Sequence, residues 1–220
     1  MESWISSESF SCLAAKSALR RGTLHVSTNG PLGEASTTRA VYAELEGFVH
    51  HQLVETEDFA TFVAVFDGPD MLEETDFERS LWHQLDALHR IDRHRYPWAE
   101  DCDLDPESPR FAFSLIGHPF YVVGMHPESS RISRRSGLPA LAFNSHRQFS
   151  RLKASGTYAG LQERIREREL RLQNSINPVL AEFGESSEAR QYSGAPPTEE
   201  WQCPVQLSVA EDVGSGDSDD

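Results

Sequence analysis

The sequence lacks the long apolar run that a membrane-spanning helix needs. Its 220 residues contain no stretch that approaches roughly 18 consecutive apolar residues. The N-terminal segment also lacks a basic region followed by an apolar one. Cysteine is scarce: Cys12, Cys102 and Cys203 are widely spaced and odd in number, which argues against a disulfide framework and a CxxC zinc site. We therefore predict a cytoplasmic protein with no membrane partner.

Basic residues are outnumbered. Lys and Arg together number 20 against 35 Asp and Glu, which gives a net charge of −15. A field of this sign repels nucleic acid, so we predict no nucleic-acid partner. The last ten residues contain five acids and no base. We predict one domain over 1–207 and an acidic, disordered tail over 208–220, with Trp201 and Val205 folding back onto the core.

Apolar periodicity predicts helices interleaved with strands. The turn at 117–119 separates two apolar runs, which indicates a hairpin. The fold class that follows is α/β or α+β: a single domain with a mixed β-sheet and a central hairpin flanked by helices. The strand order does not follow from the pattern. Strands are predicted at 23–28, 61–66, 111–116, 120–125 and 138–144, and helices at 12–19, from 38, from 75, at 146–154 and at 157–173.

Three details of the helices are also predicted. Thr38 caps one helix, and the Thr-Asp-Phe-Glu segment at 75–78 forms a capping box for the next. The 157–173 helix has a Glu/Arg face for solvent. Its predicted buried stripe consists of Tyr158, Leu161, Ile165 and Leu172.

Histidine is the main chemical resource, because no Gly-rich phosphate loop, HExxH or GxSxG motif occurs. His118 and His126 lie at the two ends of one apolar strand, and Pro127 ends that strand. The following segment, 129–135, is rich in Ser and Arg and could bind an anion. The alternative is a basic face that balances nearby acids. Five other histidines are predicted to be solvent-facing or hydrogen-bonded: His50, His51, His83, His89 and His94.

One ligand, haem, would use both the histidine at the end of the strand and the Ser- and Arg-rich segment that follows it. Haem needs an axial donor to iron, an apolar slot and a cationic or wet environment for its propionates. His126, the aromatic pair Phe120 and Tyr121, and the arginines Arg131 and Arg134 could supply these. Composition and spacing permit haem without indicating it.

Six blocks of the sequence resemble the YqcI/YcgG family. They run in order from 10 to 194, and the central block and SEARQYSG are the most distinctive. Within the family, the resemblance is closest to bacterial haem-dependent guanidine N-hydroxylases of natural-product biosynthesis. It implies haem b, dioxygen, an external electron donor and a small cationic, arginine-like substrate, and the chain could form a homodimer. The blocks are FSCLAAKSAL, FERSLWHQLDALHRID, HPFYVVGMHPESSRISRR, PALAFNSHRQFSRL, LQNSINPVLAEFG and SEARQYSG.

The resemblance also implies roles for residues around the iron. It makes His126 the proximal ligand and the catalytic centre, with Ser130, Arg131 and Arg134 near the propionates. His118 and His146 are the reserve ligands. The family usually has Phe-Pro-Cys where this chain has Phe-Ser-Cys at 10–12, and that departure would matter most if Cys12 held the iron.

Two substrate contacts are predicted from charge. Glu188 would pair with a substrate guanidinium, and Tyr192 would donate a hydrogen bond near bound oxygen. The alternative for Glu188 is a surface pair with Arg190. The rival to an N-hydroxylase is a non-catalytic haem-binding or small-ligand-binding protein on the same scaffold.

Overall fold

The computed structural model describes residues 2–7, 13–53, 60–69, 73–175, 186–196 and 200–209. Five strands form one mixed sheet in the order β1-β2-β5-β4-β3. β1 and β2 are parallel, and the other neighbouring pairs are antiparallel. The predicted mixed sheet with its hairpin is confirmed. The strands are β1 (Leu24–Asn29), β2 (Thr61–Phe66), β3 (Phe113–Leu115), β4 (His118–Met125) and β5 (Ala140–Ser145).

Six α-helices surround this sheet in the described part of the chain. A π-helical turn, Val49–Leu53, extends α3, and two 3₁₀ turns span Ile132–Arg134 and Glu188–Gln191. No helix among the described residues is long and apolar enough to cross a membrane. The helices are α1 (Glu2–Ser6), α2 (Leu13–Arg21), α3 (Ala35–Phe48), α4 (Glu74–Asp92), α5 (His146–Ala154) and α6 (Thr157–Gln173).

The sheet is covered on both faces. All six residues of β2 are buried, as its continuous apolar run predicts. One face packs against α4, whose apolar stripe recurs every three or four residues and is wholly buried. The other face packs against Ile5 of α1 and Ala15 of α2. The α4 stripe consists of Phe77, Leu81, Leu85 and Leu88.

The turn between β3 and β4 determines where His118 lies. Ile116 and Gly117 form it with φ of 56° and 62°, and left-handed backbone is unusual for a β-branched residue. Asp92 of α4 accepts a hydrogen bond from the Ile116 amide at 2.9 Å and another from the Tyr42 hydroxyl at 2.8 Å. The buried Asp92 carboxylate therefore anchors the turn to α4.

Two predicted helix caps are wrong. α4 begins at Glu74 with no side-chain cap, so the capping box at 75–78 does not form. The Glu78 carboxylate instead accepts hydrogen bonds from Ser193 and Trp201. α3 begins at Ala35, and the Thr38 hydroxyl lies inside that helix.

The prediction for α6 is also corrected. Ile165 and Leu172 are only half-buried, whereas the charged Glu169 is buried. Glu169 is inside because it pairs with Arg131. The side chains of Tyr158 and Leu161 lie outside the described residues.

The C-terminal segment folds back onto the core, as predicted. Trp201 packs against Trp82 of α4 with 6.3 Å between ring centroids, and Val205 is partly buried against the same cluster. Ser208 also contacts the C-terminal end of α4: its carbonyl accepts a hydrogen bond from His89, and its hydroxyl accepts one from Arg93, the residue after the helix, both at 2.8 Å. Residues 210–220 lie outside the described residues, so the disordered tail stays a prediction.

Candidate functional site

The predicted site residues divide between the two ends of β4. His118 is the first residue of the strand, and His126 directly follows its last residue, Met125. At about 3.3 Å per residue, the two histidine backbones are about 26 Å apart. Ser130, Arg131 and Arg134 lie on the loop that follows His126. His146, Glu188 and the Tyr192 hydroxyl lie toward the His118 end.

His126 is fully buried and has no hydrogen-bond partner at either ring nitrogen. Side-chain alternation along β4 turns it toward α4, where its ring stacks on Phe77 with 4.4 Å between centroids. Burial lowers the pKa of His126, while the Glu74 and Glu128 carboxylates partly oppose that effect. A buried imidazole with two unsatisfied nitrogens is uncommon and calls for a functional explanation.

Gly124 lets the strand approach α4 beside His126. A Cβ atom at this position would lie 2.5 Å from Leu81, 2.7 Å from Phe77 and 2.9 Å from the Tyr192 carbonyl oxygen. Only glycine fits such a contact without displacing its neighbours. The ring that stacks on His126 therefore depends on a glycine two residues earlier.

The loop after His126 is tied to two helices. Ser130 donates from its amide and hydroxyl to the Glu74 carboxylate of α4, at 2.9 and 2.8 Å. Arg131 donates to the Glu169 carboxylate of α6 at 2.7 Å and to the Ser175 carbonyl at 2.8 Å. Arg131 is thus a buried partner of a carboxylate, not part of a solvated basic face.

Arg134 is buried, and its side chain forms hydrogen bonds with the backbone. Its guanidinium donates to the carbonyl oxygens of Gly124, Gln191 and Tyr192, at 3.3, 2.8 and 2.9 Å. Burial lowers its pKa. These bonds hold the Glu188–Gln191 turn against β4, and they occupy donors that the resemblance assigns to a propionate.

The cluster at the other end of β4 is polar and half-buried. His118 Nε2 lies 2.8 Å from Ser145 Oγ, and Arg147 Nη1 lies 3.5 Å from His118 Nδ1. Because a guanidinium only donates, Nδ1 accepts, and the proton of the neutral ring lies on Nε2. Burial and the Arg147 charge lower the pKa of His118 to about 4. Arg147 is held in turn by both oxygens of Asp101, at 2.8 and 3.0 Å.

Glu188 and Tyr192 form a buried pair near this cluster. The Tyr192 hydroxyl donates to Glu188 at 2.7 Å and accepts from the Phe113 amide at 3.1 Å. Burial raises the pKa of both side chains. The other Glu188 oxygen lies 3.4 Å from His146 Nε2. The surface pair with Arg190 does not form, because Arg190 binds Glu107 at 3.0 Å.

The structure does not bring Glu188 to His126. The Tyr192 carbonyl accepts from the Gly124 amide at 2.7 Å, whereas its hydroxyl reaches the Phe120 carbonyl at 3.2 Å. Glu188 therefore lies at the level of Phe120, six residues or about 20 Å along the strand from His126. The carboxylates whose charges act on His126 are Glu74 and Glu128. Sequence reasoning missed Glu74 because nothing in the local pattern links positions so far apart.

Two further observations bear on the predicted haem iron. Among the described residues, no group of three or more His, Cys, Asp or Glu could hold a metal ion. Haem needs only one axial side chain, because the macrocycle supplies the other nitrogen donors. Cys12, the alternative ligand, lies outside the described residues.

The chain is thus a mixed α/β domain with a buried histidine, His126, whose two ring nitrogens have no hydrogen-bond partner. It belongs to the YqcI/YcgG family, whose model matches residues 1–206. It is similar to a protein of Bacillus subtilis (strain 168) named "Uncharacterized protein YcgG", with 25% identity over 194 residues, 84% of this chain and 76% of the relative. No solved structure matches the chain.

Proposed function

We propose that this protein is a haem-dependent oxygenase that N-hydroxylates a guanidine nitrogen of arginine or a related amino acid, with dioxygen and an external electron donor. The resemblance to guanidine N-hydroxylases suggests the reaction. The observation that supports it is the buried imidazole of His126, with both nitrogens unpartnered. When bound, haem would supply an iron centre that activates dioxygen.

His126 has the properties of a residue that would hold the haem iron. Each unsatisfied buried polar group costs about 1–3 kcal/mol, and a bond to iron would satisfy one nitrogen. Burial lowers the pKa of His126, and this favours the neutral form that binds metals. The stacked Phe77 ring fixes the plane of the imidazole.

The loop after His126 would face the propionates. Arg131 keeps a buried Nε without a hydrogen-bond partner, and Ser130 is exposed. Both remain candidates to contact a carboxylate group of the macrocycle. We assign Arg134 a positioning role instead, because its guanidinium already serves three backbone carbonyls.

The charges near His126 favour a cationic substrate. Both groups that raise the pKa of His126 are carboxylates, Glu74 and Glu128. A guanidinium pairs with a carboxylate through two parallel, charge-assisted hydrogen bonds. Because Glu74 is near His126 and Glu188 is about 20 Å along the strand, we infer that Glu74 contacts the substrate.

Haem retention tests the proposal. The full chain, reconstituted with haem, is compared with alanine variants at His126, His118 and His146 by Soret absorbance per protein. We expect His126→Ala alone to lose the haem while circular dichroism shows a folded chain. Full haem occupancy in that variant would overturn the assignment. Loss of haem in His118→Ala or His146→Ala would instead assign the iron ligand to the other end of β4.

Turnover separates the enzyme from its rival. Haem-loaded protein is supplied with arginine or simpler guanidines, dioxygen and a reductant, and products are followed by mass spectrometry. We expect a product heavier by one oxygen atom. A protein that retains haem yet modifies no guanidine and consumes no dioxygen would be a haem-binding protein on the same scaffold.

A further inference from the structure

Tyr192 lies at the inner end of a column of aromatic side chains. Trp201, which is 9% exposed, packs against the fully buried Trp82 with 6.3 Å between ring centroids. Trp82 in turn stacks on Tyr192 at 5.6 Å and an interplanar angle of 22°. Both separations lie within the range of about 4.5–7 Å between centroids that interacting aromatic pairs show. The column thus links the protein surface to the strand that leads to His126.

We propose that Tyr192 is a redox-active residue that exchanges single electrons with the surface through Trp82 and Trp201, with Glu188 accepting the phenolic proton. Its redox activity requires no haem. Its use in catalysis, as a residue that would hold an oxidising equivalent taken from the haem site, rests on the function proposed above.

The hydrogen bond to Glu188 makes the oxidation of Tyr192 feasible. An oxidised phenol that kept its proton would be a buried cation, which is costly in an apolar core. In the proposed step, Tyr192 loses one electron, its O–H bond breaks, and the proton moves 2.7 Å to Glu188. A neutral tyrosyl radical and a neutral carboxylic acid result. The burial that raises the pKa of Glu188 also favours its protonated form.

The electron from Tyr192 passes to Trp82, then to Trp201, and finally to an outer-sphere one-electron oxidant in solution, which is reduced. Trp82 suits a relay because its buried Nε1 has no acceptor, so it has no partner to take its proton. Arg190 lies over the Trp201 ring, 5.4 Å from its centroid, and disfavours a positive charge there. Trp201 Nε1 donates to the Glu78 carboxylate at 3.0 Å, so the missing proton acceptor is a property of Trp82 alone among these two tryptophans. The missing acceptor at Trp82 and the Arg190 charge at Trp201 both favour movement of the oxidising equivalent inward to Tyr192.

A second buried pair provides an internal control. The Tyr42 hydroxyl donates to the Asp92 carboxylate at 2.8 Å, much as Tyr192 does to Glu188. Among the described residues, the Arg95 guanidinium lies over the Tyr42 ring, 5.2 Å from the ring centroid. No tryptophan in this part of the chain stacks on Tyr42. Each of the two tyrosines thus has its own carboxylate as a proton acceptor. They differ in that the aromatic column contacts Tyr192 and not Tyr42.

Photochemical oxidation of the full chain tests this proposal. Photogenerated tris(bipyridine)ruthenium(III) serves as the oxidant, and frozen samples are examined by electron paramagnetic resonance. We expect a tyrosyl signal that is lost in Tyr192→Phe and Trp82→Phe and retained in Tyr42→Phe. Glu188→Gln should lose the tyrosyl signal and accumulate a tryptophanyl one, because the phenolic proton then lacks an acceptor.

A full tyrosyl signal in Tyr192→Phe, or its loss in Tyr42→Phe, would overturn the proposal. Should Tyr192→Phe fail to fold, Trp82→Phe still decides, since the Trp82 side chain makes no hydrogen bond. A folded Trp82→Phe chain with the wild-type signal would also refute electron transfer through the aromatic column. The Soret band of each sample is recorded separately, so an absence of haem and an absence of the radical are distinguishable.

Discussion

The Arg131 guanidinium and the Glu169 carboxylate form an ion pair inside the protein, 2.7 Å apart, with both side chains less than 10% exposed. The pair joins the loop after His126 to α6. Glu169 also accepts a hydrogen bond from Ser133 at 2.9 Å. Since the apolar residues Ile165 and Leu172 are only half-buried, this polar contact is an important attachment of the helix.

Removing one partner of the pair should be costly. In Glu169→Gln the Arg131 charge stays buried without a counter-charge, and we expect the free energy of unfolding to fall by about 3–5 kcal/mol. Urea denaturation measures it. Glu167→Gln, at an exposed position of the same helix, is the matched control and should unfold like the parent. Equal stability of the two variants would contradict the structural role of the pair.

Gly124→Ala should destabilise the protein and disturb the site. The added methyl would meet Leu81, Phe77 and the Tyr192 carbonyl at less than 3.0 Å, and such overpacking costs about 1–3 kcal/mol. Because Phe77 must move, we also expect weaker haem retention at His126.

Gly47→Ala provides the control for Gly124→Ala. Apart from its chain neighbours and the nearby backbone of α3 itself, no atom lies within 4 Å of a Cβ placed at Gly47, and alanine in a helix gains about 0.5–1 kcal/mol over glycine. Thermal melting and Soret absorbance compare the two variants. A Gly124→Ala protein that melts at or above the parent temperature would argue against the close approach.

Stability should depend on pH through His118. Its folded pKa of about 4 lies below the unfolded value, so the unfolded state binds more protons between these two values. Stability therefore falls as the pH drops through this window, by about 2 kcal/mol between pH 7 and pH 5 for this group. Burial raises the pKa of Asp92 and Glu188, which acts in the opposite sense.

A comparison of variants isolates this contribution. The unfolding free energy of His118→Gln, measured in urea at pH 7, 6 and 5, should fall less steeply than that of the parent. His94→Gln, at an exposed position, should keep the parent slope. Parallel curves for His118→Gln and the parent would refute the assignment of this pH dependence to His118.

We expect the stable domain to include Ser208 and to end directly after it. A chain that ends at Val209 should melt with the full-length protein, because an acidic Gly/Ser segment buries little apolar surface. A chain that ends at Leu207 lacks the hydrogen bonds from His89 and Arg93 to Ser208. We expect it to lose about 1–2 kcal/mol. Differential scanning calorimetry of the three lengths checks this, and a large loss in the 209-residue chain would show that residues 210–220 dock.

Substrate affinity should depend on Glu74. With haem-loaded enzyme, Glu74→Gln should raise the KM for arginine-like guanidines by about one to two orders of magnitude, since the substrate cation loses its counter-charge. Asp76→Asn, an exposed acid on the same helical turn, is the control. A raised KM in Glu188→Gln with an unchanged one in Glu74→Gln would instead support Glu188, the residue predicted from charge.

The sequence determined the features that depend on neighbouring residues. The apolar run at 61–66 predicts a strand buried on both faces, and Pro127 predicts that His126 stands at the end of a strand; both are correct. The predicted bounds of α5 and α6 are also correct, although the predicted buried stripe of α6 is not. These features are local because a strand or helix repeats its side-chain directions every two or 3.6 residues.

Only the tertiary structure decided which distant groups meet. The strand order, the enclosure of Arg134 by carbonyls 57 and 58 residues away and the contact of Glu74 with Ser130 across 56 residues leave no periodic trace in the chain. The same holds for the separation of Glu188 from His126, which the sequence pattern did not reveal. Such pairings arise when packed elements bury polar groups that must then find partners, and those partners are selected by proximity in space, not by position in the sequence.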